Sequence, residues 1–271
     1  MRELEVRLSH NVTLHCVINP SEKKEWIVLS NSLGATHEMW MDQIEVLSEH
    51  FQILSYDTRG HGQSSCPNGP YNFNDLCQDV IGLLNYFNIE KTNFMGLSLG
   101  GMTGLGLAIN HPKRISRVVC ADARAESTEK FKAMWDERIS KVASGGLDAI
   151  LEGTINSWFT SNWIAANPRK IEAIKEMVLS NNPEGYIHCC EALKELNYFN
   201  QLGTIQAPVL YIGGDKDKGA PPETMKEMSD NTPFSSYESV SSSAHVANIN
   251  NPSEFNDKVI SYLTRQDYIS L

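Results

Sequence analysis

Apolar positions in the first 122 residues fall into short runs bounded by turn residues, and a period of two alternates with a period near 3.6. Residues 4–8 and 12–17 flank Ser9-His10-Asn11 and predict a β-hairpin with a tight polar turn. Strands are expected next at residues 26–30 and 52–57. Between them, residues 39–50 carry Trp40, Ile44 and Leu47 at the i, i+4, i+7 spacing of a helix lying on a sheet. Residues 74–87 repeat that pattern through Leu76, Val80, Leu83, Leu84 and Phe87. A strand at 92–97, a helix from about 100 to 110 and a strand at 118–122 follow. This alternation predicts a mostly parallel sheet with crossover helices, an α/β fold.

Beyond Asp122 the pattern changes. Residues 123–201 lose the strand signals, turn helical and polar, and hold Trp135, Trp158 and Trp163. Strand periodicity returns at 208–214 and 236–240, with helices expected near 222–229 and at 252–263. The simplest architecture is an α/β core formed by residues 1–122 and 202–271, interrupted by a helical cap insertion at 123–201.

Composition narrows the function. Of the 271 residues, 41% are hydrophobic and 21% charged, enough apolar surface for a sizeable core. The 33 acidic and 23 basic side chains give a formal charge of −10, which disfavours nucleic acid; an anionic small molecule would need a local cationic pocket. Residues 1–7 alternate charged and apolar side chains, and no run approaches a membrane span, so the expectation is a cytoplasmic protein with no signal peptide and no membrane partner. The oligomeric state stays open, a homo-oligomer included. Cys16, Cys66, Cys77, Cys120, Cys189 and Cys190 are irregularly spaced and read as reduced thiols. With neither a CxxC nor an HExxH pattern, no metal site is expected.

The sharpest chemical signal is Gly96-Leu97-Ser98-Leu99-Gly100-Gly101, between an apolar strand and a helix. A nucleophile elbow needs small residues two positions either side of its serine, because the turn is tight enough for side chains to collide there. Such a turn lifts the Ser98 hydroxyl above the sheet and aims a helix N-terminus at the reacting centre. A serine hydroxyl needs a base, and the base an orienting carboxylate, following the serine in the order acid, then histidine. His245 is the only histidine beyond residue 188. Two acids compete for the third place, Asp215 and Asp217, and the G-x-x-D spacing from Gly214 favours Asp217. The oxyanion would be met by the backbone N–H of Leu99 and by that of Leu33, in Asn31-Ser32-Leu33-Gly34. Many hydrolases of this fold have His-Gly where this chain has Asn31-Ser32. The loop from Asp57 to Ser64 invites a catalytic reading of His61 and Asp57, but such glycine- and charge-rich turns more often brace the sheet through groups like Arg59 and Asp57.

Taken together, Ser30-Asn31-Ser32-Leu33-Gly34, Tyr56-Asp57-Thr58-Arg59-Gly60-His61-Gly62-Gln63-Ser64, Pro67-Asn68-Gly69-Pro70-Tyr71 and the elbow resemble the 3-oxoadipate enol-lactonases of the α/β-hydrolase superfamily. Trp135-Asp136-Glu137-Arg138-Ile139 and His245-Val246-Ala247-Asn248-Ile249 fit the same resemblance. It implies Ser98 as nucleophile, Asp217 and His245 as its partners, and no cofactor. The substrate would be a small ester or lactone, opened through an acyl-enzyme.

A carboxylated lactone needs a cation. Arg138, three residues after Trp135, would share its helix face, and an arginine fork beside an aromatic wall suits a carboxylate. Arg124, just past the 118–122 strand, is the other candidate; the alternative for Arg138 is an acid on its own helix. A general carboxylesterase or perhydrolase, and a ligand receptor with slow turnover, remain the competing readings, since fold does not fix function.

Overall fold

The computed structural model describes residues 1–9 and 11–265. His10, in the predicted hairpin turn, lies outside the described residues. The strands are β1 (Arg2–Arg7), β2 (Thr13–Asn19), β3 (Trp26–Ser30), β4 (Gln52–Tyr56), β5 (Thr92–Leu97), β6 (Ile115–Ala121), β7 (Val209–Gly214) and β8 (Ser235–Val240). They form one sheet in the order β1-β2-β4-β3-β5-β6-β7-β8. The β1–β2 and β2–β4 pairs are antiparallel and the remaining pairs parallel.

The helices are α1 (Met41–Ser48), α2 (Phe73–Tyr86), α3 (Leu99–Asn110), α4 (Glu129–Gly145), α5 (Asp148–Trp158), α6 (Ser161–Ala166), α7 (Pro168–Leu179), α8 (Pro183–Lys194), α9 (Pro222–Asp230), α10 (Ala247–Asn250) and α11 (Pro252–Leu263). Successive residues of the central strands face opposite layers. Phe94, Val118, Val209 and Tyr211 pack with the apolar faces of α2, α3 and α9. Met95, Val119, Leu210 and Ile212 pack with Leu47 of α1 and Phe255 and Val259 of α11. Both faces are therefore covered, which is why these strands read as continuous apolar runs.

Helix starts follow local chemistry. Asn72 and Asp75 form a reciprocal capping box at α2, and Thr128, Thr160 and Asn182 cap α4, α6 and α8. Some boundaries differ from expectation. The helix predicted over 39–50 begins as a 3₁₀ turn, His37–Trp40, capped by the Thr36 hydroxyl. Strand β6 starts at Ile115, and Asp122, expected as its last residue, leaves the strand with φ +44°.

The strand order reverses between β3 and β5, so the loops leaving their carboxyl ends diverge and open a crevice between them. The five helices α4 to α8 run between β6 and β7, and side chains of α4, α5 and α8 roof that crevice. No helix among the described residues is long and apolar enough to cross a membrane. All six cysteines are unbridged, and only Cys66 is not fully buried.

Candidate active site

Ser98 sits between β5 and α3 at φ +53°, in the left-handed region that a non-glycine residue enters only under constraint. The constraint is packing against the glycines two residues away. A Cβ on Gly96 would lie 2.2 Å from the Gly100 carbonyl carbon, and one on Gly100 would lie 2.1 Å from the Ser30 carbonyl oxygen. The turn is fixed to the next strand by the Ser98 N–H, which donates to Ala121 O at 2.8 Å. Residue 99 is helical where the sequence pattern started α3 at about 100, so Ser98 is the helix's N-cap.

Three side chains from separate loops meet here. His245 Nε2 stands 3.0 Å from Ser98 Oγ, and its Nδ1 stands 2.8 Å from Asp217 Oδ2. Asp217 is buried, and its other oxygen accepts the Gly219 N–H at 2.7 Å. Burial opposes a charge on His245, but the Asp217 carboxylate and its hydrogen bond outweigh that and hold the imidazole above its ordinary value. Asp215 does something else: it accepts the Ser243 N–H at 3.1 Å and pairs with Lys216, tying the β7 loop to the His245 loop. Of the two competing acids, geometry joins Asp217 to the histidine.

The two expected oxyanion donors are free. Ser32 N–H points to Met39 Sδ, Gly34 N–H donates to His61 Nε2 at 3.0 Å, and Gly100 N–H donates to Asn31 O at 3.0 Å. Among the described residues, the intervening N–H groups of Leu33 and Leu99 have no partner. The Asn31 departure is explained by burial: its amide donates to Tyr56 O at 2.7 Å and its oxygen accepts Trp40 Nε1–H at 3.0 Å, which holds the loop.

The Asp57 to Ser64 turn braces this loop from below. Arg59 grips Asp79 through Nε and Nη2 at 2.6 and 2.7 Å. Asp57 Oδ1 accepts the His37 N–H and lies 2.9 Å from His37 Nδ1, and Oδ2 accepts the Gln63 N–H. His15 Nδ1 lies 3.3 Å from the same carboxylate, so His15, His37 and Asp57 form the one cluster among the described residues with the makings of a cation site. Because the backbone already occupies both Asp57 oxygens, we read the cluster as part of the brace. Burial lowers His61 to about 4, leaving a neutral ring whose Nδ1 faces Arg59 O while Nε2 accepts from Gly34.

Ser98 and His245 open on a cavity of about 110 Å³ whose walls include Leu33, Met102, Phe131, Trp135, Thr154 and Tyr186. All three expected substrate contacts, Trp135, Arg138 and Arg124, line it. Arg138 Nε donates to Tyr186 OH at 2.6 Å, and Nη2 donates to the Thr154 hydroxyl. Acids on its own helix pair elsewhere: Glu137 with Lys141 and Asp136 with Lys194. Arg124 donates to Gly219 O and lies 4.1 Å from the Phe131 ring centre; burial lowers its basicity. The Trp135 Nε1–H is buried and has no partner among the described residues.

Sequence reasoning missed Asp122. It lines the same cavity, fully buried, accepting the Gly214 N–H at 2.8 Å on one oxygen and the Ala247 N–H at 3.2 Å on the other. Burial and the Asp217 charge hold this carboxyl well above the ordinary range. Tyr186 and Thr154 were also unforeseen. An acid one residue past the strand beside the elbow was the only available signal for Asp122.

The sequence profile described as the alpha/beta hydrolase fold matches residues 25–252. This chain belongs to that family. It is 36% identical over 239 residues to 3-oxoadipate enol-lactonase 2 of Acinetobacter baylyi, covering 88% of each chain. The enol-lactonase structure from Burkholderia xenovorans superposes with a TM-score of 0.93 at 33% identity, over 97% of this chain and 100% of that one. A RutD protein of Pantoea ananatis, provisionally assigned to carbamate hydrolysis, is 26% identical over 89% of each chain. The chain is thus a hydrolase of enol-lactonase-like type, as the sequence motifs implied.

Proposed function

We infer that the protein hydrolyses a small carboxylated lactone of the enol-lactone type through an acyl-enzyme on Ser98. The observation that carries this reading is the line Asp217–His245–Ser98, joined at 2.8 and 3.0 Å beneath two free N–H donors. His245 Nε2 takes the hydroxyl proton as Ser98 Oγ bonds to the lactone carbonyl carbon. The carbonyl π electrons move to oxygen, where the N–H groups of Leu33 and Leu99 meet the charge. The ring C–O bond then breaks, and His245 returns its proton to the departing enol oxygen. The enol can tautomerise to a ketone, which draws ring opening forward. Water, deprotonated by His245, attacks the acyl carbon; the acyl C–O bond to Ser98 then breaks as His245 returns that proton to Ser98 Oγ, and the acid leaves.

Arg138 supports the choice of a carboxylated substrate. Two of its five donors are used by neutral hydroxyls, and it has no acidic partner among the described residues. Beside it the Trp135 ring supplies an aromatic wall to the same cavity. An anion bound here would pair with a half-buried cation whose remaining N–H groups could meet a carboxylate. Arg124, held by Gly219 O over Phe131, adds positive potential nearer the triad.

Steady-state kinetics on a matched panel test this reading: a carboxylated enol-lactone, its methyl ester, a saturated neutral lactone and phenyl acetate. The expected order of kcat/KM places the free carboxylate at least about tenfold above its methyl ester, the size of one charge-assisted hydrogen bond. Equal rates on the two would remove the carboxylate from the proposal and leave a general esterase.

A further inference from the structure

We propose that the Ser32 side-chain hydroxyl is a third donor of the oxyanion site, joining the N–H groups of Leu33 and Leu99; this rests on the serine-hydrolase reading above. The loop after β3 departs from the His-Gly of many hydrolases at two positions, Asn31 and Ser32. The Asn31 side chain is committed to Tyr56 O and Trp40 Nε1, which accounts for the first departure. The second is not accounted for by the main chain, since a glycine at 32 would leave the Leu33 N–H just as free. The hydroxyl calls for a reason of its own. Ser32 lines the cavity onto which Ser98, Leu33 and His245 open. It is only 2% exposed, and its hydroxyl oxygen has no hydrogen-bond partner among the described residues without being sealed from solvent. The small exposed part of the residue therefore includes that oxygen. Other hydroxyls of the segment are engaged: Ser30 Oγ pairs with Tyr56 OH at 2.9 Å, and Thr36 Oγ1 accepts the Glu38 N–H.

The backbone that carries this hydroxyl is fixed on every side. Asn31 O accepts the Gly100 N–H at 3.0 Å, Ser32 N–H points to Met39 Sδ, and Ser32 O accepts the Ala35 N–H at 3.1 Å. A donor held this way needs little reorganisation when charge develops, which is the condition for oxyanion stabilisation. Ser32 Oγ and the Leu33 N–H belong to adjacent residues of one anchored loop, so an oxygen met by the second lies within reach of the first. The hydroxyl proton has no acceptor inside the protein, and the cavity is where an acceptor arrives. As Ser98 Oγ bonds to the substrate carbonyl carbon, the π electrons pass to oxygen and the Ser32 O–H···O⁻ contact becomes charge-assisted. Ser32 gives up no proton: it donates a hydrogen bond to each tetrahedral intermediate and is released as that intermediate collapses.

Ser32→Ala tests this, because it deletes one oxygen and leaves the main-chain donors in place. On phenyl acetate kcat should fall at least about fivefold with KM nearly unchanged, short of the ~10²–10³-fold of a deleted principal donor because two N–H groups remain. A fall in kcat of less than about fivefold, or a loss carried by KM, overturns the proposal. Inhibition gives the second readout. An aryl trifluoromethyl ketone takes Ser98 Oγ on its carbonyl carbon and holds a tetrahedral oxyanion, whereas the methyl ketone of the same shape binds uncharged. Ser32→Ala should weaken the trifluoromethyl ketone at least about fivefold and leave the methyl ketone as in wild type. Equal changes in the two ketones would make the hydroxyl a packing element and overturn the proposal. Should Ser32→Ala not fold, Ser32→Gly carries the same deletion and is read by the same ratio of ketone affinities. Failure of the serine-hydrolase reading would look different: Ser98→Ala would stay active, and the wild-type protein would form no adduct with the trifluoromethyl ketone.

Discussion

His61 Nε2 accepts the N–H of Gly34 at 3.0 Å, and this bond sets which donors of the loop after β3 remain open to a substrate. Gly34 is tied down and Leu33 beside it is left free. The buried ring accepts because desolvation keeps it neutral down to about pH 4, so a histidine that looked catalytic works as a fixed acceptor.

His61→Ala should therefore lower kcat more than it raises KM. It leaves the Gly34 N–H unpaired and loosens the Leu33 donor without deleting it. The loss should stay below the ~10²–10³-fold of a deleted oxyanion donor, at roughly tenfold. A change confined to KM would argue against the link between His61 and the oxyanion loop.

The rate should rise with pH through a single limb whose midpoint lies above 6.5, the ordinary histidine value. Burial alone would pull His245 below it, but the Asp217 charge and hydrogen bond, with Asp122 adding, overcome the burial. The base works only when neutral, so activity is lost as pH falls through the folded value. A limb at or below 6.5 in kcat/KM would contradict this balance.

The His37–Asp57 pair should make stability depend on pH in a definite window. Burial opposes both charges, yet the hydrogen bonds and mutual attraction prevail: His37 is raised from 6.5 and Asp57 lowered from 3.8. The raised histidine contributes stability in full below 6.5 and loses it as pH rises through its folded value; the lowered carboxylate contributes above 3.8 and loses it as pH falls through its own. The Tm gap between wild type and His37→Gln should be widest between those two values and should narrow at alkaline pH. A gap constant from pH 5 to 9 would show that His37 acts by packing alone.

Arg138→Met should separate substrates by charge. On a carboxylated lactone kcat/KM should fall by about 1.5–3 kcal/mol, roughly 10- to 150-fold, the worth of a hydrogen bond to a charged group. On a neutral ester of similar size the change should stay within about threefold, the margin of an ordinary surface substitution. Matched losses on both would make Arg138 a brace for Tyr186 and Thr154.

Much of this was legible in residue order because it rests on local constraint. The elbow glycines, the continuous apolar strands and the spacing of Asp217 from Gly214 are each dictated within a few residues. Asp122 was not legible. Its role depends on a backbone turn to φ +44° and on N–H donors from residues 214 and 247, which only the folded sheet brings near. The same holds for Arg138: periodicity put it on a face with Trp135, but its partners Thr154 and Tyr186 lie on two other helices, and helix packing is not written in helix periodicity. The 3₁₀ turn at His37–Trp40 escaped for a related reason, since its Thr36 cap and the Asp57 hydrogen bond to its first N–H compete with a regular α-helical start.

The central claim is that Ser98 is the nucleophile, and steady-state turnover of Ser98→Ala beside wild type tests it most directly. The substitution removes one oxygen at a site only 8% exposed, so the fold and its Tm should hold. The account predicts a loss in kcat of at least ~10³-fold on lactone and ester alike, with substrate binding nearly unchanged. A folded Ser98→Ala protein that kept more than about a tenth of wild-type turnover, a loss under ~1.4 kcal/mol, would contradict it.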